Sequence, residues 1–229
     1  MTSARKAAFE FKKDLVLKAA AESFFRKGFS KTRIDDIAAA LNVTKPFIYY
    51  HFSNKLEILE EICGRTSVFA ANLAEKAADG PATGSPAERL RVFVRNFALT
   101  VIEERMFLAI YFRESKHLPK RTQDRFRNDR LRFHAALSRL LASGCESGDF
   151  VIADMSVTEQ TVTGMITWIF NWYQADGKRS PEEIAGILEQ LVLSAVSAPA
   201  VGKALPKTLP KTLPKTLSKT LPKVRRKIA

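Results

Sequence analysis

Lys45, Pro46 and Phe47 follow directly on Asn42-Val43-Thr44, at the point where a short apolar-spaced segment opens. In the first turn of a helix such side chains can reach base edges. A lysine ammonium can donate to guanine O6 or N7, and a proline or phenylalanine ring can touch a thymine methyl group. Thr32, Thr44, Tyr49, Tyr50, His51 and Lys55 surround them with hydroxyl, imidazole and ammonium donors. Groups of that kind hold phosphate oxygens and fix register without reading sequence. Ile48 and Phe52, by spacing, face inward as packing. The plainer readings are a solvated Lys45 and a core Tyr49.

Nothing comparable supports catalysis. His117 and His134 have no nucleophile nearby in sequence, Glu103 and Glu104 point different ways on a helix, and neither a GxSxG motif nor a glycine-rich phosphate loop occurs. Cys63 and Cys145 lie far apart, with no CxxC or Cys/His cluster, and His51 has no second ligand three or four residues away. The expectation is a non-enzyme with no catalytic residue, no metal and no resident cofactor.

A second candidate site is apolar. Phe97, Val101, Phe107, Tyr111, Phe133, Leu137, Met165, Trp168 and Trp172 give more aromatic bulk than helix packing demands. Pockets between bundle helices have this composition, with few polar groups. For any single residue, ordinary core is the plainer reading. Arg105, Arg113, Lys116, Lys120, Arg121, Arg125, Arg127, Arg130 and Arg132 lie among acidic neighbours and read as a solvated face. The functional alternative is that some of these arginines hold phosphates by bidentate contacts.

The elements that position these residues are helices. Apolar spacing of 3.6 residues runs through most of the chain and strand-like alternation is scarce, which predicts an all-α fold. A first helix is expected from about 12 to 27, with Gly28 as a left-handed C-cap. A second opens at Thr32, which can cap together with Asp35, and turns Ile34, Ile37, Ala38 and Leu41 inward. Asn42 tolerates positive φ, Thr44 can cap, and Pro46 suits the first turn of a third helix ending near Phe52. That order is a helix-turn-helix, whose second helix lies in the major groove. Further helices are expected over about 54–78, from Ser85-Pro86 onward, and near 104–116, 120–144, 157–173 and 180–197.

Charge is distributed unevenly. Residues 1–60 carry a net +4, residues 61–198 are neutral, and residues 199–229 carry +9. A neutral body with two basic ends suits a polyanionic partner met by the ends. From residue 199 the chain repeats Leu-Pro-Lys-Thr at 205, 209 and 213, and prolines at 206, 210, 214 and 222 exclude a stable helix. A disordered basic tail is expected, adding sequence-independent affinity for DNA, or for anionic lipid. The longest apolar run, Met106 to Phe112, is far short of the roughly 20 residues of a membrane span. No membrane partner and a cytoplasmic location are expected.

The run Val16, Ala19-Ala20, Phe24, Gly28, Thr32, Ile37-Ala38, Val43-Thr44, Ile48-Tyr49, His51-Phe52, Lys55 and Leu59 resembles the N-terminal signature of the TetR family of bacterial transcriptional regulators. Residues 44–55 are its most specific part. The resemblance implies an all-α, two-domain homodimer. A helix-turn-helix domain over 1–55 would bind a double-stranded DNA operator, a helical domain over 56–198 would hold a small-molecule effector and pair with a second copy, and residues 199–229 would form the tail. Asn42 stands where the family usually has glycine, and Arg33, where a hydroxyl residue is common, would add a phosphate contact. Trp168-Ile-Phe-Asn-Trp172-Tyr173 with residues 176–185 is similar to the end of family members that sense acyl-coenzyme A thioesters. The expected function is a ligand-responsive repressor with an apolar or fatty acyl-CoA effector; the alternative is a nucleoid-like protein that coats DNA without one.

Overall fold

Ten α-helices, one 3-10 turn (Ser115–His117) and a single isolated bridge between Phe150 and Ser197 make up the architecture among the described residues. The computed structural model describes residues 3–79 and 84–197. The lysine-proline tail expected at 199–229 and most of the loop expected at 79–84 lie outside them.

α1 (Ser3–Lys27) begins earlier than residue 12 because its first turns are rich in Ala, Lys and Arg, which favour helix without an apolar stripe. Gly28 ends it with φ +83. α2 (Ile34–Ala40) is capped at Arg33 and not at Thr32: the Arg33 amide donates to Asp36 Oδ2 at 2.8 Å. The Arg33 N–H and the Lys27 ammonium together hold the Asp36 carboxyl below the usual carboxylate range. The turn to α3 (Lys45–His51) passes through Asn42 at φ 53, a conformation asparagine adopts more readily than most residues.

α4 (Lys55–Asp79) joins two cores. In the first, Val16, Leu17 and Phe24 of α1 pack with Ile37, Ile48, Phe52, Ile58, Leu59 and Ile62. Phe107 and Ile110 of α6 (Arg105–Glu114) and Phe126 of α7 (Lys120–Ser147) close that core from the other side. Residue 55 is thus the first residue of a helix whose next two turns belong to this first core.

The second core lies between α5 (Pro86–Glu103), α7, α8 (Met155–Thr167) and α10 (Pro181–Val196). Serine caps fix the entries of two of these helices. Ser85 Oγ accepts from the Glu88 amide while the Glu88 carboxylate accepts from the Ser85 amide, and Ser180 and Glu183 repeat the arrangement. The rings of Phe93, Phe97 and Phe133 meet at centroid separations of 5.5 to 6.2 Å. Gly144 is required in α7, because a Cβ there would lie 1.9 Å from the Phe150 ring. The helix expected over 157–173 is broken at Trp168 into α8 and the four-residue α9 (Ile169–Trp172). No described helix is long and apolar enough to cross a membrane.

Candidate nucleic-acid interface and internal cavity

α3 turns one side outward. Ile48 is fully buried and Phe47 half-buried, while Thr44, Lys45, Pro46, Tyr49 and Tyr50 are exposed, Tyr50 by 67%. Since 45, 46, 49 and 50 fall on one face at helical spacing, they form a continuous patch with Arg33 exposed at the start of α2. Thr44 occupies the cap position with extended backbone, but its side chain makes no cap hydrogen bond. Lys45 Nζ reaches Asp35 Oδ2 at 2.9 Å, and that carboxylate raises the lysine above its ordinary pKa.

Three residues expected at phosphates are placed elsewhere. Thr32 is buried, and its hydroxyl donates to the carbonyls of Gly28 at 2.8 Å and Ser23 at 3.2 Å, which closes the end of α1. The Lys55 ammonium is drawn under the loop after α1, donating to the Phe29 and Thr32 carbonyls at 2.7 Å each and lying 4.4 Å from the Phe29 ring centroid. Burial lowers its pKa. His51 is enclosed by Phe9, Tyr50 and Phe47, with centroid separations of 4.6, 5.0 and 5.2 Å. Among the described residues, neither ring nitrogen has a hydrogen-bond partner. Burial, followed by the charges of Lys12 and Lys13, pushes its pKa down. Thr32 and Lys55 brace the exposed patch from behind, because the Gly28 and Phe29 carbonyls of the tight loop receive only a shared, long bond from the Thr32 amide, at 3.3 Å each.

A cavity of about 950 Å³ lies beside α4, between α5, α6, α7 and α8. Of the residues expected there, Phe97, Val101, Phe107, Tyr111 and Phe133 line it. Leu137 does not, being sunk in the second core at 1% exposure, and Met165 packs against that core from outside. Trp168 and Trp172 are exposed on the outer surface, by 55% and 48%. The break at Trp168 turns both indoles away from the interior, which sequence periodicity over 157–173 could not register.

Aromatic bulk in the sequence did not disclose the polar part of the lining. Thr163 Oγ1 and His134 Nδ1 are buried at the wall with no hydrogen-bond partner among the described residues, and His134 Nδ1 is 3.7 Å from Glu159 Oε2, beyond hydrogen-bond reach. The signal available in sequence was a threonine and a histidine interrupting apolar helical faces. Of the basic run from Arg105 to Arg132, Arg125 and Arg130 line this cavity. Arg113, Lys120, Arg127 and Arg132 are instead paired with Glu114, Asp124 and Glu75. Tyr111, half-buried between α6 and α7, has its hydroxyl pKa raised by burial.

The chain matches two family models. Residues 16–62 match the bacterial regulatory proteins of the tetR family, and residues 83–196 match the tetracyclin repressor-like C-terminal domain. It is similar to an uncharacterized HTH-type transcriptional regulator, YhgD, of Bacillus subtilis (strain 168), with 26% identity over 192 residues, 82% of this chain and 97% of that protein. Among solved structures, it resembles the TetR family transcriptional regulator PfmR from Thermus thermophilus, at TM-score 0.71 and 30% identity, covering 78% of this chain and 97% of that one. AibR, solved in complex with isovaleryl coenzyme A and operator DNA, shares the fold at TM-score 0.65 and 24% identity, with 79% and 97% covered.

Proposed function

This chain belongs to the TetR family and is a transcriptional regulator with a DNA-binding and a ligand-binding domain, and from that premise we propose that it is a repressor released from a palindromic operator by an acyl-coenzyme A thioester. The observation that carries this reading is the pairing, in one chain, of the outward patch on α3 with a roomy cavity walled by α6. A homodimer presents the patch twice, so two recognition helices enter successive major grooves about 34 to 36 Å apart. Val157, Trp168, Trp172 and Leu191, exposed on α8, α9 and α10, supply the apolar area for that pairing.

The acyl assignment draws on the composition of the cavity wall. Phe97, Val101, Phe107 and Phe133 suit an apolar chain, Arg125 and Arg130 suit phosphates, and Thr163 and His134 offer unpaired groups to a thioester carbonyl. The effector acts through differential affinity: reversing a 99:1 population takes about 10⁴-fold preference, near 5.5 kcal/mol.

Footprinting at physiological salt followed by titration with a series of acyl-CoA esters tests both halves. A discrete palindrome that is vacated on titration is expected. Uniform protection with no centre would favour a DNA-coating protein, and a discrete footprint untouched by every thioester would remove the acyl assignment alone.

A further inference from the structure

The first turns of α1 are basic, and Phe9 brings them against the last residues of α3. Arg5, Lys6 and Lys12 are exposed there, and among the described residues none of them pairs with a carboxylate; Lys13 is paired with Glu61 at 3.3 Å and Asp14 with Arg65 at 2.6 Å. Phe9 fixes this segment to the reading helix: its ring lies 4.6 Å from His51 and 5.7 Å from Tyr50, centroid to centroid. Lys13 adds a second hold, 5.3 Å from the Phe52 ring centroid.

Helical spacing places Arg5 one turn before Phe9 on the same face, with Lys12 one turn after it. Arg5 therefore stands on the side of α1 that meets Tyr50, at the margin of the exposed α3 patch. Three free cations continuous with a major-groove probe fit the phosphates flanking that groove.

We infer that residues 3–13 form a second DNA contact, an arm docked on the recognition helix through Phe9, in which Arg5, Lys6 and Lys12 hold duplex phosphates beside the bases read by α3. The inference rests on the DNA-binding reading above and extends it to a segment outside the helix-turn-helix. The arm contributes affinity and register while the half-site sequence is read by α3.

The test compares the full chain with Arg5→Ala/Lys6→Ala and with Phe9→Ala, using fluorescent duplex selected by the parent protein and a random duplex. Each lost phosphate contact lowers the slope of log K against log salt by about 0.9, so the double variant is expected to lose roughly 1.8 per arm on both duplexes with its footprint centre unmoved. Phe9→Ala should lose a comparable part of the slope through undocking, and Phe9→Tyr should restore it. Unchanged slopes in Arg5→Ala/Lys6→Ala, with an unchanged thermal transition, would overturn the arm. Absence of any discrete footprint in the parent would overturn the regulator reading instead, and the slope on random duplex would still decide the arm.

Discussion

Arg113, in the last turn of α6, donates its guanidinium to the main-chain carbonyl of Phe24, in the last turn of α1. A second bond reaches the Phe25 carbonyl at 3.4 Å, and Glu114 Oε1 steadies Nε at 2.9 Å. The Phe24 carbonyl also accepts from the Gly28 amide at 2.9 Å, so Arg113 is its second donor, and a cation at this end of α1 complements the helix dipole. α6 also lines the cavity through Phe107, Leu108 and Tyr111. One short helix thus touches both the cavity wall and the end of α1.

Arg113→Ala is therefore expected to separate the two activities. Acyl-CoA affinity should stay within about twofold, whereas the factor by which acyl-CoA weakens operator binding should shrink at least about fivefold, from the range typical of coupled sites. Operator titrations at zero and saturating acyl-CoA measure the factor; an unaltered factor would place the coupling elsewhere.

Lys45 is expected to read a base. Lys45→Ala should weaken the selected operator by about ten- to a hundredfold while leaving random duplex much less affected, which is the mark of a base-edge contact. Asp35→Asn frees the ammonium and removes an anion from the phosphate side, so it should strengthen binding to both duplexes. Equal losses on operator and random DNA for Lys45→Ala would make Lys45 a phosphate contact.

His51 links stability to pH. Its pKa in the folded protein lies below the value of about 6.5 of the unfolded chain, so on acidification the unfolded chain takes up the proton first. Stability is then lost as pH falls through about 6.5 toward the folded pKa, below which no further loss comes from this group. His51→Phe suits the aromatic surroundings and lacks the titration. Thermal unfolding between about pH 7.5 and 5 should show a smaller fall in Tm for the variant than for the parent; parallel curves would contradict the burial.

Thr163→Val should act oppositely on the empty and the filled protein. The hydroxyl is buried with no hydrogen-bond partner among the described residues, so replacing it with a methyl group of the same shape leaves Tm unchanged or higher without acyl-CoA. If Oγ1 bonds the thioester carbonyl, acyl-CoA affinity falls about tenfold, in line with a hydrogen bond of about 1 kcal/mol or slightly more. Isothermal titration with isovaleryl-CoA and with a long-chain acyl-CoA reads the loss.

The helix-turn-helix was legible because it is written in local signals: Gly28 at positive φ, Asn42 in the turn, Pro46 in the first turn of α3, and Ile37, Ile48 and Leu59 at inward positions. Thr32, His51 and Lys55 carry polar groups that are chemically suited to phosphate, and spacing alone does not say whether such a group faces a groove or a carbonyl. What decides it is tertiary: the loop carbonyls of Phe29 and Thr32 converge on Lys55 from 23 to 26 residues away in sequence. Phe97 and Phe133 were found at the cavity because apolar spacing marks the inner faces of α5 and α7. Trp168 and Trp172 were misplaced for the same reason, since an apolar face turned outward has the same spacing as one facing a core.

α4 carries Lys55 at one end, gripping the loop behind the reading patch, and Ser67 and Asn72 of the cavity wall further along. At ~1.5 Å per residue its 25 residues make a rod of about 37 Å, so a tilt of only about 5° pivoted at one end sweeps the other through about 3 Å. Such a sweep exceeds the tolerance of a hydrogen bond to a base edge. In the dimeric repressor proposed above, leverage of this kind would convert a cramped or relaxed fit in the cavity into a change of spacing between two copies of α3, with no rearrangement inside either.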